Sequence, residues 1–393
     1  VLEGEKMKIG VISRYPPMEG GVSSEVYWTF KHLAKRVFEC VIVTDNWCID
    51  DEYKERIPAN ELKYLEPQNI KLYALDPLFN SVSFKFNKGT DTTLNLLSLS
   101  LEVWKKERPD IWYSHYLFPY GAVACYLKTL TKCPVILRHA GSDLNRLKSP
   151  YTVHLIEILK NADELISHDE ELRSTFNHLQ QVERISIPPE FDIDYKPCKK
   201  DKIRIGIVGK LHESKRILEL CKALYQLDKS NIIKKDSLEV LYLSNKSAKK
   251  ILEKYFPEVI QKYFNFYPFI PPWDMPRFYG SCDIIFVGEK GFPIPQHLPR
   301  IPAEAMYVGV PTILSDEIFG KYKRILPFLE SERDALVVDT SKPEEIKRGL
   351  KTLISDPDIL SYVSRNSRKI REALFIKFSQ YTRELENLFK NKL

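Results

Sequence analysis

Short apolar runs alternate with amphipathic stretches along most of this chain. Residues 7–13, 40–44, 109–115, 134–138 and 164–167 are mostly apolar and bounded by turn-forming or polar residues, the pattern of buried strands. Between them, residues 23–36, 94–107, 120–130, 151–160 and 169–179 read as helices. In 94–107, Leu97, Leu101 and Trp104 share one helical face. Ser23 and Ser24 can cap the 23–36 helix by accepting from its first N–H groups. Residues 47–88 are rich in Tyr, Phe and Pro and receive no element.

Residues 188–202 hold three prolines and a Lys-Lys-Asp-Lys run, which reads as a linker. The strand pattern then restarts at 202–209 as a weak echo of 8–13. Further strands are predicted over 238–243, 264–270, 282–287, 311–314 and 335–339. Helices are predicted up to about 227, over 273–279, from 302, from 342 and over about 380–390. The result is an α/β chain in two halves, divided as residues 1–195 and 196–375.

Composition narrows this picture. A length of 393 residues suits two cores better than one. Hydrophobic residues make up 44% and charged residues 28%, as in ordinary globular proteins. No apolar run is long enough for a membrane-spanning helix, and the acidic N-terminus does not read as a signal peptide. The charge of +6 is dispersed over 59 Lys+Arg and 53 Asp+Glu. It permits an anionic ligand or peripheral contact with an acidic membrane surface, and it does not form the aromatic-basic module of a nucleic-acid binder. Seven scattered cysteines without a CxxC pair suggest reduced core residues and a cytoplasmic setting.

The chemistry concentrates at strand ends. Residues 287–316 form a strand, a Gly/Pro-rich loop, a helix opened by Pro302, and a strand after Gly309 and Pro311. Open α/β sheets bind ligands at such carboxyl ends. Glu304, in the first helical turn, could accept hydrogen bonds from two ribose hydroxyls, while Arg300 and the helix N-terminus could hold a diphosphate. An ordinary dipole-matched helix start explains Glu304 as well. Lys210 and Lys215 flank the Gly209-ended strand and the next helix, which makes either a phosphate cradle or two solvated lysines. Gly20 and Gly21 allow close backbone approach to a ligand or simply form a turn. His115 closes a strand, where a lone histidine is most often structural.

These motifs, in their order, resemble glycosyltransferase family 4, retaining nucleotide-sugar enzymes of the GT-B fold. The resemblance covers nearly the whole chain. It rests on Glu304-Ala305-Met306 with Gly309 and Pro311, on Gly209 to Leu211 followed by Lys215, on Pro109-Asp110 leading to His115, and on Gly141 with Asp143. The chain departs from the pattern where Gln296 replaces a Glu, Pro299 and Arg216 replace glycines, Lys210 replaces an Arg and Tyr113 replaces a His. The resemblance implies two Rossmann-like domains facing across a cleft, with the last helix, about 376–393, crossing back to the first domain. It assigns His115, Lys210 and Lys215 to transfer, and Gly209, Lys210, Lys215, Arg300 and Glu304 to the donor nucleotide. It further places Gln296 and His297 near the donor sugar, Gly20 and Gly21 near phosphate and acceptor, and His139 and Asp143 on the acceptor side.

The expected activity is therefore retaining transfer of a sugar from a nucleotide-diphosphate sugar to a glycan, lipid-linked or small-molecule acceptor. No cofactor and no metal are expected, the nucleotide sugar being substrate. Two alternatives remain open at this level. One is another enzyme of this fold, such as an epimerase or phosphorylase. The other is a nucleotide-sugar binding protein with altered catalysis, suggested by Gln296 and Tyr113.

Overall fold

The computed structural model describes residues 6–36, 38–45, 51–75, 88–141, 153–167, 172, 176, 179–180, 191, 202–294 and 297–392. The chain divides into two units: Val1–Ser186 with Ser379–Leu393, and Ile187–Phe378.

The first unit runs β1 (Lys8–Ser13), α1 (Gly21–Arg36), β2 (Glu39–Thr44), β3 (Ile70–Ala74), α2 (Lys88–Glu107), β4 (Ile111–His115), α3 (Ala122–Thr131), β5 (Val135–Arg138), α4 (Val153–Leu159), β6 (Glu164–Ile166) and β7 (Leu179–Gln180). Its sheet has the order β3-β2-β1-β4-β5-β6-β7, with every neighbouring pair parallel. Strands β1, β2, β4, β5 and β6 are buried on both faces, as their continuous apolar runs require. Gly10 pairs with Trp112 across β1 and β4. A Cβ there would lie 2.3 Å from the Trp112 ring, so the indole occupies the space that any larger residue would need.

The second unit runs β8 (Ile203–Val208), α5 (Ile217–Lys229), β9 (Leu238–Leu243), α6 (Lys246–Tyr255), α7 (Pro257–Tyr263), β10 (Phe264–Tyr267), α8 (Met275–Ser281), β11 (Ile284–Val287), α9 (Ile301–Val308), β12 (Thr312–Ser315), α10 (Asp316–Ile325), β13 (Leu336–Val338) and α11 (Pro343–Ser355). Its sheet is again all parallel, in the order β10-β9-β8-β11-β12-β13. Its core packs Ile205, Leu224, Val240, Ile284 and Ile313 with Leu350. In each sheet the strand order reverses direction once, between β1 and β4 and between β8 and β11. Those reversals open a crevice at the carboxyl ends of the strands, where such folds take ligands.

The last helix, α12 (Pro357–Lys390), starts far earlier than the predicted 380. Val363, Ile370, Leu374, Phe378, Tyr381, Leu385 and Phe389 are buried along it at spacings of seven, four, four, three, four and four, which is helical periodicity over its whole length. Its final turns belong to the first unit, where Phe389 meets Phe38 and Tyr113 edge-on, each at 5.8 Å. The helix expected over 169–179 falls mostly outside the described residues, and Leu179 instead pairs in β7. Residues 185–189 also lie outside them. Among the described residues no helix is long and apolar enough to cross a membrane, and the described cysteines are thiols.

Candidate functional site

At the β8–β11 reversal, three segments converge. β8 ends at Val208, and Gly209 turns the chain with φ +122°, a conformation glycine adopts without strain. Lys210 follows, then a short 3-10 turn over Glu213–Lys215 whose start is capped by His212 accepting from the Ser214 N–H. β11 ends at Val287, followed by Gly288 and Glu289. α9 starts at Ile301 with Pro302 in its first turn, where no intrahelical N–H is needed. It stops at Gly309, left-handed at φ 90°, which donates to Ala305 and Met306. Val208, Lys210, Lys215, Tyr242, Gly288 and Ile301 line one small recess between these segments.

Two carboxylates belong to these segments, each held by two partners. Glu289 has no solvent exposure; one oxygen accepts from Lys215 Nζ, and the other lies 2.7 Å from His297 Nδ1. Burial works to raise its pKa, but His297 and Lys215 together outweigh it and hold the carboxyl at about 2. Glu304 is 5% exposed. Its Oε1 accepts from Arg300 Nε at 3.1 Å and its Oε2 from the Tyr279 hydroxyl at 2.8 Å. Tyr322 donates to the Pro299 carbonyl, which fixes the chain just before Arg300. The main chain of the loop is tied down as well: Thr340 Oγ1 donates to Gly288 O at 2.8 Å, Ser315 Oγ to Glu289 O, and Lys290 N to Ser214 O at 2.8 Å.

The first unit gathers its predicted residues at its own strand ends. Ser13, His115, Arg138 and Ile166 form one row across β1, β4, β5 and β6. His115 is 2% exposed and its carbonyl accepts from Ser13 Oγ at 3.1 Å. His139 follows β5, with Nδ1 3.0 Å from Ser167 Oγ. Arg138 is buried and paired with Glu25 and Tyr381; burial opposes its charge, yet Glu25 keeps it firmly protonated. Gly20, at φ +117°, precedes α1, and Gly21 is the first residue of that helix. Tyr113, at the position where the resemblance expects a histidine, is a core residue packed against Phe30 at 5.1 Å.

The second unit thus brings Lys210 and Lys215 to one recess, with Gly209 ending the strand before them, and sets Arg300 and Glu304 together at the start of α9. His297 lies beside Glu289. Gln296 and Asp143 lie outside the described residues. Tyr279 was missed by sequence reading, and so was Glu289 as the partner of Lys215. Their partners are 25 and 74 residues away, so local spacing carries no signal of either contact.

Two parallel, doubly wound units with a ligand crevice at each strand-order reversal define the GT-B class of α/β proteins. A sucrose-phosphate synthase from Thermosynechococcus elongatus has a similar structure, with a TM-score of 0.68 and 15% identity over 98% of this chain and 99% of that one. Anabaena HepE, solved in complex with UDP-glucose, gives a TM-score of 0.65 and 13% identity over 97% of this chain and 100% of that one. In sequence, residues 190–370, most of the second unit, match the family model of glycosyl transferases group 1. An uncharacterized glycosyltransferase of Methanocaldococcus jannaschii is 28% identical over 145 residues, a match spanning 36% of this chain and 34% of that protein.

Proposed function

We propose that the protein transfers a sugar from a nucleoside-diphosphate sugar to an acceptor with retention of anomeric configuration. The observation that carries this reading is the convergence of Lys210, Lys215 and the start of α9 on the recess at the β8–β11 reversal. A diphosphate there meets two ammonium groups and the positive end of a helix dipole. Negative charge grows on the leaving diphosphate as its bond to the sugar breaks, and donors already in place stabilise it. Lys215 has three N–H donors and spends one on Glu289, which leaves two for phosphate oxygens.

Glu304 suits the nucleoside side. Arg300 and Tyr279 fix its carboxylate, and each oxygen keeps further acceptor capacity for a ribose hydroxyl. His115 and His139 are the candidate transfer and acceptor-side groups of the first unit. The HepE neighbour carries UDP-glucose, so UDP-sugars head the list of donors to try. Retention rests on the resemblance to retaining enzymes, and the acceptor is a glycan, a lipid-linked sugar or a small molecule. The test is a panel of nucleotide sugars assayed for release of nucleoside diphosphate coupled to appearance of the sugar on an acceptor, with product anomers assigned by NMR. Tight nucleotide binding without turnover of any donor would instead identify a binding protein.

A further inference from the structure

Lys215 and Glu289 differ sharply in their access to the recess. Lys215 lines it and its side chain keeps 19% exposure, whereas Glu289 keeps none. The carboxylate therefore lies behind the ammonium. Both of its oxygens are engaged, one by Lys215 and one by His297, and none of the carboxylate faces solvent. Its own backbone is pinned too. Ser315, which caps α10 by accepting from Ile318 N at 3.1 Å, donates to the Glu289 carbonyl, and the next residue's N–H is bound to Ser214. A buried charge held this firmly is a fixed point to which mobile side chains can be tied.

We propose that Glu289 is a positioning residue: it anchors the Lys215 ammonium at the mouth of the recess and, through its second oxygen, ties the His297 segment to the same point, without touching the donor. This inference rests on the reading of the recess as the diphosphate site. A lysine on a four-carbon stem has many rotamers of similar energy. A buried carboxylate at its tip selects one of them before the ligand arrives, so less ordering remains to be done on binding. His297 is held in turn on its ring face by Phe292, with centroids 4.4 Å apart, so the anchor extends into the loop before α9.

Two substitutions separate charge from reach. Glu289→Gln keeps the length and two polar atoms but removes the charge. Glu289→Asp keeps the charge but is one methylene short of spanning both partners. The first readout needs no turnover: the rate at which an acetylating reagent modifies Lys215, followed by peptide mass spectrometry. Anchoring predicts slow labelling in wild type, at least several-fold faster labelling in Glu289→Gln, and protection of both proteins by inorganic diphosphate. The second readout splits kcat from binding. In Glu289→Gln, diphosphate affinity by calorimetry should stay within about threefold, because loss of the counter-charge offsets loss of aim, while kcat falls on the order of 10- to 100-fold. Glu289→Asp should recover part of kcat. Unchanged Lys215 labelling overturns the inference. So does a parallel fall of kcat, diphosphate affinity and melting temperature, which is the mark of a merely structural residue. Failure of wild type to turn over any nucleotide sugar would strike the proposed function instead, and the labelling result would still decide whether Glu289 anchors Lys215.

Discussion

Replacing Gly288 by Ala tests how closely the β8 and β11 strand ends must approach. A Cβ at Gly288 would lie 2.8 Å from the backbone oxygen of Lys215 and 2.6 Å from the Phe286 ring. Tolerable contact begins near 3.4 Å, so Lys215 stands about 0.6 Å too close. Phe286 is 2% exposed within the second-unit core and has little room to turn. Much of the relief must therefore come from the Lys215 backbone. One methyl forced into a packed site costs about 1–3 kcal/mol, which in a unit of this size lowers the melting temperature by roughly 2–4 °C per kcal/mol. The functional effect should exceed the structural one, since a misplacement near 1 Å can cost on the order of 10²-fold in rate. We expect a folded protein that melts a few degrees lower, and whose kcat falls about tenfold or more. Scanning calorimetry and initial rates at saturating donor measure the two effects. An Ala variant with the melting temperature and kcat of wild type would show that the junction is not close-packed and that Lys215 need not stay in place.

Glu304→Gln should weaken nucleotide binding clearly and inorganic diphosphate binding much less, as measured by calorimetry; equal weakening of both would mean that Glu304 only shapes the start of α9. Tyr279→Phe removes one hydroxyl from that carboxylate and should loosen nucleotide binding in the same direction by less, about 1 kcal/mol in the usual range for one hydrogen bond. The Glu289 carboxyl, held at about 2 in the fold, contributes stability that is fully present above the unfolded value near 4.3 and is lost as pH falls through 2, on the order of 3 kcal/mol in all; melts between pH 5 and pH 2 should therefore fall less steeply for Glu289→Gln than for wild type, and identical slopes would contradict the pairing. Gln296→Glu, assayed on a donor panel, should reorder donor preference while leaving nucleotide affinity nearly constant, and an unaltered ranking would remove Gln296 from contact with the sugar.

The strands were legible because strands buried on both faces appear as unbroken apolar runs, as β11 does. β3 was not legible: it is an edge strand with one fully buried residue, Ile70, in a stretch that carries little apolar contrast. The first half of α12 was missed because each turn contributes only one core residue, such as Val363 or Ile370, among Ser, Arg and Lys. At the candidate site, the glycines, the lysines and Glu304 could be singled out because strand-end turns and helix starts constrain residue type locally. The partner of each carboxylate could not. Glu289 with Lys215, and Glu304 with Tyr279, are brought together by parallel pairing of β8 with β11 and by packing of α8 near α9. Those contacts depend on strand order, which no local pattern encodes.

The most direct test of the proposed donor site is a thermal-shift titration of wild type and Lys215→Ala with nucleoside diphosphates and their sugar derivatives. A ligand present at about 100 times its dissociation constant stabilises the native state by roughly 2.7 kcal/mol. The account predicts that at least one nucleoside diphosphate and its sugar derivative raise the wild-type melting temperature by several degrees, and that Lys215→Ala, itself folded, loses most of that rise. A wild-type melting temperature unmoved by every nucleotide, or an equal rise in both proteins, would contradict it.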